Sequence, residues 1–487
     1  MRIPGIILAV LAVALGTSSY VARAGHGAAP VDRLDLAPCH LEGLAEEVSC
    51  GVLDVVEDRD AGSGRTIPIH VSVLGPLRRE AAPDPLFIMA GGPGQGARSY
   101  AAAVARSFRR VRATRAIVLV DLRGTGDSAP LRCGDALDEV QALSRGRDAL
   151  LGSGAGCVAG LDADPRHYTH RDALADLDAV RQRLGYDTIN LWGGSWGTRA
   201  ALLYAISYPQ AVRRVVLDGA VGLGMRFPVT AAEDAQRAFD LLAARCADDE
   251  ACAREFPDSR QELEGMLARL ERTPARVRIA HPRTGARVTV TITRETAAEI
   301  LRVALYTTVD AARVPAIVRR AALGDFAPLV AQYHHSARLS SDDMARGTTI
   351  AVLCSEDLPR VVGEDLEAAA GGSFLRTSYA DGWVERCNGW PVGPAIGVDP
   401  AAISNAPALI LSGALDPVTP PRAGDTMARH FPDNRHVIVP GAAHNTSFTG
   451  CVPDLIASFL DGVDIDAACV DDVPAPPVET GLAGGRP

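Results

Sequence analysis

Ser195 lies in the stretch Gly193-Gly194-Ser195-Trp196-Gly197, where an apolar run gives way to a segment with helical spacing. A G-x-S-x-G pattern between a strand and a helix is typical of a nucleophile elbow, a strained turn that exposes a serine hydroxyl at the carboxyl edge of a sheet. Glycines suit such a turn because the neighbouring backbone passes too close for a Cβ. A plain glycine-serine turn is the alternative, so the assignment depends on catalytic partners elsewhere.

Two further residues complete a possible catalytic set. A serine hydroxyl is a weak nucleophile until a base removes its proton, and a third group must orient that base. Asp416 and His444 follow Ser195 in the chain order Ser, Asp, His, and each comes directly after an apolar run. Asp425 and Asp433 follow no such run. The order is that of α/β-hydrolases, so we predict Ser195, Asp416 and His444 as a triad.

Four other histidines have structural explanations. His334 and His335 fall in a segment with helical spacing, and His167 and His170 fall in a stretch predicted to be a polar loop. A general base must reach the nucleophile at the end of a strand, so these positions do not compete with His444.

A tetrahedral intermediate carries a negative oxygen that needs two backbone N–H donors, each contributing about 3 kcal/mol. The first is expected from Trp196, directly after the nucleophile. The second is expected from Gly92, in the glycine-rich loop 91–96 that follows the apolar run 86–90. A plain turn is the alternative for this loop.

Short apolar runs separated by helical segments must position these residues. The parallel runs are residues 86–90, 116–120, 212–218, 408–411 and 436–439. Continuous apolar runs of this length are typical of parallel strands that are buried on both faces. Two longer runs, 50–58 and 66–75, predict an antiparallel edge. The predicted fold is therefore α/β, with a mostly parallel central sheet and helices on both faces.

The sheet pattern is interrupted between residues 223 and 405. That segment is rich in alanine and arginine and predicts helices at 231–245, 261–271 and 294–306. It is interpreted as a largely helical cap inserted into an α/β-hydrolase core, whose two parts are residues 25–222 and 406–470. The Pro/Gly-rich end, residues 471–487, is predicted to be a flexible tail.

The first 24 residues have the pattern of a secretory signal peptide. A basic residue precedes an apolar run at 6–15, and small residues surround the expected cleavage site. The run is shorter than the roughly 20 residues that a transmembrane helix needs, although an uncleaved anchor is an alternative. We expect a secreted or periplasmic protein with no stable membrane insertion after cleavage.

Ten cysteines without C-x-x-C spacing favour disulfides over a zinc site, and no metal is predicted. Proximity along the chain suggests five pairs, with buried free thiols as the alternative. The suggested pairs are Cys39–Cys50, Cys133–Cys157, Cys246–Cys252, Cys354–Cys387 and Cys451–Cys469.

Charge and composition exclude several classes of protein. The formal net charge of −10 over 487 residues argues against a nucleic-acid surface, which would need a basic face. All basic residues are arginine, so mechanisms that need a P-loop lysine, a Schiff base or a Ser-Lys dyad are excluded.

A nicotinamide-dependent oxidoreductase is a remote alternative. Residues 92–97 also satisfy G-x-G-x-x-A after a strand, and Asp121 ends the next apolar run, where a ribose-binding acid is expected. However, two β-runs precede this motif, and a secreted enzyme is separated from the cellular nicotinamide pool. No cofactor is therefore predicted.

Seven motifs in a fixed order extend over most of the chain between Cys39 and Cys469. They are GGPGQG, DLRGTGDS, GGSWGT, RRVVLDGAV, CSED, SGALDPVTP and GAAH. In this order they resemble the secreted tripeptidyl aminopeptidase and proline iminopeptidase family of α/β-hydrolases. The resemblance implies a serine exopeptidase that removes one residue, such as proline, or a tripeptide from a free N-terminus. It also implies a helical cap and disulfide-linked cysteines.

Two positions depart from the family pattern. Iminopeptidases usually have histidine at the position of Ala90, and tyrosine is common at the position of Trp196. The first departure argues against strict proline specificity. The second changes only the shape of the pocket beside the nucleophile.

The same resemblance points to Glu356 and Asp357, in CSED, as the acids that bind the substrate ammonium. A buried ammonium requires an opposite charge, so an aminopeptidase needs a carboxylate under its cap. A solvated acidic turn or an arginine partner is the alternative for these acids. A carboxylesterase is the alternative function, because the same triad hydrolyses esters and the cap decides what enters.

Overall fold

A nine-stranded sheet forms the centre of the protein in the computed structural model. The structure describes residues 33–133, 140, 143, 154–281, 284–340, 344–361 and 363–481. The predicted signal peptide, residues 1–24, lies outside these residues. Within the described ranges, no helix is both long enough and apolar enough to span a bilayer.

The described strands are β1 (Ala37–Cys39), β2 (Val48–Val56), β3 (Thr66–Leu74), β4 (Leu86–Met89), β5 (Ile117–Val120), β6 (Ile189–Gly194), β7 (Val212–Asp218), β8 (Ala275–Ala280), β9 (Arg287–Ile292), β10 (Ala408–Gly413) and β11 (Asn434–Val439). The main sheet has the order β1-β2-β3-β5-β4-β6-β7-β10-β11. The pairs β1–β2, β2–β3 and β3–β5 are antiparallel and the other pairs are parallel. The predicted fold class, a mostly parallel sheet with an antiparallel edge, is confirmed.

Both faces of the sheet are covered, which explains why its inner strands are continuous apolar runs. Along β4, Phe87 and Met89 belong to one hydrophobic core, whereas Leu86 and Ile88 belong to another. Successive side chains of a strand point to opposite faces, so the two cores lie on the two sides of the sheet.

The described helices are α1 (Ala101–Ser107), α2 (Arg109–Arg112), α3 (Gly154–Val158), α4 (His170–Leu184), α5 (Trp196–Ser207), α6 (Phe227–Asp248), α7 (Glu250–Glu255), α8 (Ser259–Arg272), α9 (Arg294–Ala304), α10 (Thr308–Ala311), α11 (Val314–Ala322), α12 (Ala327–Ser340), α13 (Arg346–Val352), α14 (Gly363–Ala370), α15 (Ser378–Cys387), α16 (Pro421–Ala428) and α17 (Val452–Asp461). Helices α6 to α15 lie between β7 and β10, where the sequence predicts the inserted cap. A π-helical turn, Leu353–Asp357, continues α13.

The cap segment has a hydrophobic core of its own. Phe239 on α6, Leu267 on α8, Leu301 on α9 and Ile317 on α11 are all buried in it. An antiparallel ribbon of β8 and β9 packs against this core and was not predicted. The segment is thus a helical layer with one small ribbon.

All ten cysteines are paired in the structure, in the five pairs that chain proximity suggests. The Cys354–Cys387 bond joins the π-helical turn to α15, so it links two parts of the cap segment.

The C-terminal segment predicted to be flexible lies against the cap over its described residues. Arg245 on α6 donates a hydrogen bond to the Pro476 carbonyl at 2.8 Å. Further along, the Glu479 N–H donates to the Ala312 carbonyl at 2.9 Å, and its carboxylate pairs with Arg313. A Pro/Gly-rich composition did not reveal these contacts, because most are made by the backbone.

Candidate active site

Ser195 connects β6 to α5 through a strained turn. Its φ of 53° and ψ of −122° lie in a region that residues with a Cβ rarely adopt. A Cβ at Gly193 would collide with the Gly197 backbone, and one at Gly197 would collide with the Met89 carbonyl. The two glycines therefore permit the close packing that a nucleophile elbow requires.

The backbone on both sides of Ser195 is fixed by hydrogen bonds. Its N–H donates to the Asp218 carbonyl at 2.7 Å, and its carbonyl accepts from the Thr198 N–H at 2.9 Å. The Thr198 hydroxyl donates to the same carbonyl at 2.6 Å. The position of Gly91 also leaves room for the side chain, since a Cβ there would lie 3.1 Å from the Ser195 Cβ.

Asp416 and His444 are brought together at the ends of β10 and β11. The His444 Nδ1 lies 2.8 Å from Asp416 Oδ2. The Thr419 hydroxyl donates to the same carboxylate oxygen at 2.7 Å and lies 3.1 Å from His444 Nδ1. Backbone N–H groups of Val418 and Thr419 bind the other oxygen at 2.7 and 2.8 Å. The Asp416 carboxylate can only accept a hydrogen bond, so Nδ1 of His444 carries the proton. Nε2 is then the ring nitrogen that can act as a base.

The electrostatics of this pair favour a charged carboxylate and a basic imidazole. Burial alone would raise the pKa of Asp416, but the His444 charge and the hydrogen bonds from His444 and Thr419 lower it below its usual value. Burial alone would lower the pKa of His444, yet Asp416, with a smaller contribution from Asp218, raises it. The arrangement therefore stabilises an imidazolium as a general base takes up a proton.

The cap contributes directly to the surroundings of His444. The His444 N–H donates to the Tyr306 carbonyl at 3.1 Å, and the two rings pack edge to face with centroids 5.4 Å apart. Arg302 donates to the Tyr306 hydroxyl at 2.8 Å and forms a two-bond pair with Glu299. A cap displacement would therefore disturb the histidine loop.

The predicted oxyanion loop, residues 91–96, is also held by the cap. Gly92 has a φ of 109° and a Cβ there would lie 2.9 Å from the Met344 thioether sulfur. The Ala345 N–H donates to the Gly94 carbonyl at 2.9 Å, and the Thr349 hydroxyl donates to the Pro93 carbonyl. The N–H groups of Gly92 and Trp196 remain the predicted oxyanion donors.

Both predicted amine-binding acids lie on the π-helical turn and have partners. The two oxygens of Glu356 accept from the His170 N–H at 2.9 Å and meet His170 Nδ1 at 2.6 Å. Asp357 pairs with Arg199 at 2.8 Å and with Arg360. His170 is the first residue of α4, so the prediction that it lies in a polar loop was wrong. Polar residues occupy the first turn of this helix, so an apolar pattern does not reveal where it begins.

Trp196 lies among aromatic and cationic side chains beside Ser195. The Arg199 guanidinium lies 4.2 Å from the ring centroid, and His170 stacks at 6.3 Å. Phe227 packs edge to face against Trp196, and Tyr379 in turn packs against Phe227. Sequence reasoning missed these neighbours. Of these neighbours, only Arg199 could have been expected from the sequence, because it lies one helical turn after Ser195.

Asp121, the acid required by the oxidoreductase alternative, is used inside the fold. It is buried, and its carboxylate oxygens accept from the backbone N–H groups of Arg98 and Asp127 at 3.0 and 3.1 Å. A ribose hydroxyl would have to displace these bonds. Among the described residues, no group of three or more His, Cys, Asp or Glu side chains is arranged to hold a metal ion.

A second Ser, His, Asp set lies on the other side of β10. The Ser412 hydroxyl is 3.0 Å from His436 Nε2, and His436 Nδ1 is 3.0 Å from Asp425. Ser412 is completely buried, and a Cβ at Gly424 would lie 2.8 Å from its hydroxyl. Because the backbone of α16 covers this hydroxyl, no substrate carbonyl can reach it, and the set holds α16 against the sheet.

Comparison with known proteins agrees with the fold described above. The α/β hydrolase fold family matches residues 84–284, and the TAP-like protein family matches residues 373–471. The serine protease Hip1 of Mycobacterium tuberculosis is 27% identical over 460 residues, covering 85% of each chain.

Two relatives match shorter stretches. The tripeptidyl aminopeptidase of Streptomyces coelicolor is 30% identical over 196 residues, or 37% of this chain and 36% of that protein. The proline iminopeptidase of Neisseria meningitidis is 30% identical over 135 residues, or 28% of this chain and 32% of that protein. The chain therefore has the α/β-hydrolase fold and is a serine hydrolase, and its C-terminal region is similar to the TAP-like protein family.

Proposed function

We propose that this chain is a serine exopeptidase that removes N-terminal residues from peptides with a free N-terminus. The observation that carries the proposal is a buried carboxylate that is linked through one histidine to the residue after Ser195. Glu356 binds His170, and His170 stacks on Trp196, the residue after Ser195. A peptide ammonium paired with Glu356 would bring an amide bond near the N-terminus of the peptide to Ser195.

Of the two acids, Glu356 is the better ammonium ligand. Its side chain keeps 7% of its surface exposed, whereas the Asp357 side chain is fully buried and already forms ion pairs with two arginines. Burial would raise the pKa of Glu356, but the charge and hydrogen bonds of His170 lower it below the usual value. An ionised carboxylate with spare lone pairs can accept an additional ammonium.

The proposed triad would hydrolyse the peptide bond in two steps. As the Ser195 Oγ–C bond forms, the hydroxyl proton moves to His444 Nε2, and the carbonyl oxygen becomes an oxyanion that the N–H groups of Gly92 and Trp196 stabilise. His444 then gives the proton to the leaving amine as the C–N bond breaks. Water attacks the acyl-enzyme, its proton goes to His444, and Ser195 recovers a proton as the acid is released.

The proposed location is outside the cytoplasm, secreted or periplasmic. Five disulfides persist in oxidising compartments and are uncommon in a reducing cytosol. The signal-peptide pattern of residues 1–24 supports the same location. The proposed substrates are peptides, as for the relatives named as peptidases.

The test compares chromogenic amides of proline, alanine and a tripeptide, each free and N-acetylated, with a small acyl ester. We expect the free amides to be cleaved and the acetylated ones to be poor substrates. Equal cleavage of both forms would refute the exopeptidase and favour an esterase or endopeptidase.

Glu356→Gln tests the amine-binding role. A lost ion pair of about 1.5 to 3 kcal/mol should lower kcat/KM for free amides roughly 10- to 150-fold while sparing the ester. Glu367→Gln, a change at an exposed glutamate on α14, is the matched control and should alter neither rate. If the Glu356 change lowers both rates equally, Glu356 has a structural role instead.

A further inference from the structure

Asp218, the last residue of β7, makes contacts to both sides of the proposed triad. Its backbone carbonyl accepts the Ser195 N–H at 2.7 Å. Its carboxylate accepts from the Thr446 N–H at 2.8 Å, the Thr446 hydroxyl at 3.2 Å and the Ser447 N–H at 2.7 Å. These two residues follow His444 closely, so one buried residue fixes the backbone of the nucleophile and the loop of the base.

The backbone after Asp218 passes directly below the imidazole. Gly219 has a φ of 72°, and a Cβ there would lie 3.2 Å from His444 Cε1 and 3.0 Å from the Thr419 hydroxyl. Asn445, with a φ of 64°, turns the chain from His444 towards the Asp218 carboxylate. No side chain at position 219 therefore separates the end of β7 from the ring.

The hydrogen bonds around Asp218 favour its ionised form. Burial raises the pKa of this carboxyl above its usual value, and the hydrogen bonds from Thr446 and Ser447 offset only part of that increase. Each carboxylate oxygen accepts a hydrogen bond from a backbone N–H. A proton on either oxygen would therefore compete with one of these bonds. The side chain has no exposed surface, which keeps water from screening its charge.

We propose that Asp218 is a positioning residue that aligns Ser195 with His444 and supplies a second negative charge beneath the imidazolium that forms during acyl transfer. Three groups, each from a different element, face the His444 ring, and the two carboxylates among them raise its pKa. Asp416 faces it from the end of β10, Asp218 from the end of β7 and Tyr306 from the cap. The proposal concerns the proposed triad and not the recognition of the substrate, so it holds for an ester as well as a peptide.

Asp218→Asn tests the proposal on a small chromogenic ester, so that failure of the exopeptidase assignment does not affect the result. The side-chain amide cannot accept from both N–H groups, and the charge is lost. We expect kcat to fall about 10- to 100-fold with little change in KM. We also expect the acid limb of the pH profile of kcat/KM to move roughly 0.5 to 1 pH unit lower, because a less stabilised imidazolium loses its proton more easily.

Two further variants separate charge from folding. Thr446→Ala keeps the charge and removes one donor, so it should lower kcat only a few-fold and leave the acid limb in place. Asp84→Asn is the control for folding. Asp84 is a buried acid that binds Arg115 and Asn190, and it lies just before β4, at the end of the parallel strands away from the proposed triad. The Asp84→Asn variant should have a lower thermal stability but the same acid limb of the kcat/KM profile as the parent enzyme.

The proposal fails if Asp218→Asn keeps full kcat, or if its rate falls while the acid limb stays where the parent enzyme has it. If that variant does not fold, Thr446→Ala decides the positioning role on its own. An unchanged kcat in Thr446→Ala would then overturn the proposal.

Discussion

The reactivity proposed for Ser195 depends on residues that are distant in sequence and meet at the ends of parallel strands. The strand ends place Ser195, Asp218, Asp416 and His444 along one edge of the sheet. The backbone conformation of Ser195 is held by the Asp218 and Thr198 hydrogen bonds, so the strain does not relax. Changes of single atoms at this edge are therefore expected to affect turnover more than stability.

Ser195→Ala should reduce turnover by about 10⁶-fold, because alanine has no hydroxyl that could attack the substrate carbonyl. A serine-directed phosphonate should label the parent enzyme at Ser195 and leave Ser195→Ala unlabelled, as measured by peptide mass spectrometry. Ser412→Ala is the control, since Ser412 belongs to the buried Ser, His, Asp set. Loss of labelling in Ser412→Ala instead would reverse the assignment of the nucleophile.

Thr419→Val should lower kcat about 10-fold and leave KM nearly unchanged. The hydroxyl binds Asp416 at 2.7 Å and contacts His444, and a lost hydrogen bond of this kind costs about 1 to 2 kcal/mol. Steady-state kinetics with the best amide substrate measures the effect. Thr419→Ser keeps the hydroxyl and should restore most of the rate; no recovery would mean that the methyl group, not the hydroxyl, matters.

Sequence patterns could predict the residues that end strands but not those that support them. Ser195, Asp416 and His444 each follow an apolar run, which is a local signal. Thr419 and His170 carry no such signal, because their importance comes from contacts across 25 and 186 positions of the chain. Such pairings depend on the tertiary packing, which a single sequence does not display.

At the scale of elements, an ion pair joins the first cap helix to the helix that follows the proposed catalytic acid. Asp234 on α6 is buried and binds Arg422 on α16, which also lies 3.3 Å from Glu233. Burial raises the pKa of Asp234 to about 7, and Arg422 opposes the increase. The cap and the core are therefore coupled by a group that titrates near neutral pH.

The sign of this coupling follows from proton binding. Between the ordinary pKa of 3.8 and about 7, the folded state binds more protons at Asp234 than the unfolded state does. The contribution of Asp234 to the free energy of unfolding therefore falls as pH rises through this window and becomes constant above it.

Arg422→Gln should destabilise the protein by about 1 to 3 kcal/mol at pH 8 and by less at pH 5, where Asp234 is already protonated. Thermal denaturation at the two pH values measures the difference. Arg429→Gln, a change at an exposed arginine just after α16, should have no pH-dependent effect. Equal losses at pH 5 and pH 8 would show that Asp234 does not titrate in this range.

The elements themselves were predictable where burial imposes a pattern. The strands β4, β5, β7 and β10 were predicted to within about two residues, because burial on both faces makes most of their positions apolar. The ribbon β8–β9 was not predicted. Its alternating pattern, ARVRIA and RVTVTI, was obscured by the helical segments on both sides.

At the scale of the whole molecule, the C-terminal segment ties the cap to the second half of the core. It leaves α17 and the Cys451–Cys469 disulfide and then reaches α6 and the residues after α10. Val478 packs against the cap core. The chain end thus limits how far the cap can move from the sheet.

Ending the chain after Pro474 should lower the free energy of unfolding by about 1 to 3 kcal/mol and speed proteolysis of the cap. Ending it after Gly481 keeps these contacts and serves as the control. Limited proteolysis with peptide mapping reports which segment opens. Unchanged cleavage after the shorter truncation would show that the tail does not restrain the cap.

The π-helical turn Leu353–Asp357 has a consequence for how this enzyme could gain or lose its specificity. Such a turn holds one residue more than α-helical spacing allows. Deleting a single codon within it would restore α-helical spacing, so the residues of the turn would take new positions around the helix axis while the chain beyond the turn keeps its direction. Glu356 would leave His170, while the sheet and the three proposed catalytic residues would be unaffected. On the roles proposed for Glu356 and for the triad, recognition of a peptide's first residue and cleavage of an acyl bond would therefore depend on separate parts of the chain, which one three-nucleotide deletion could uncouple.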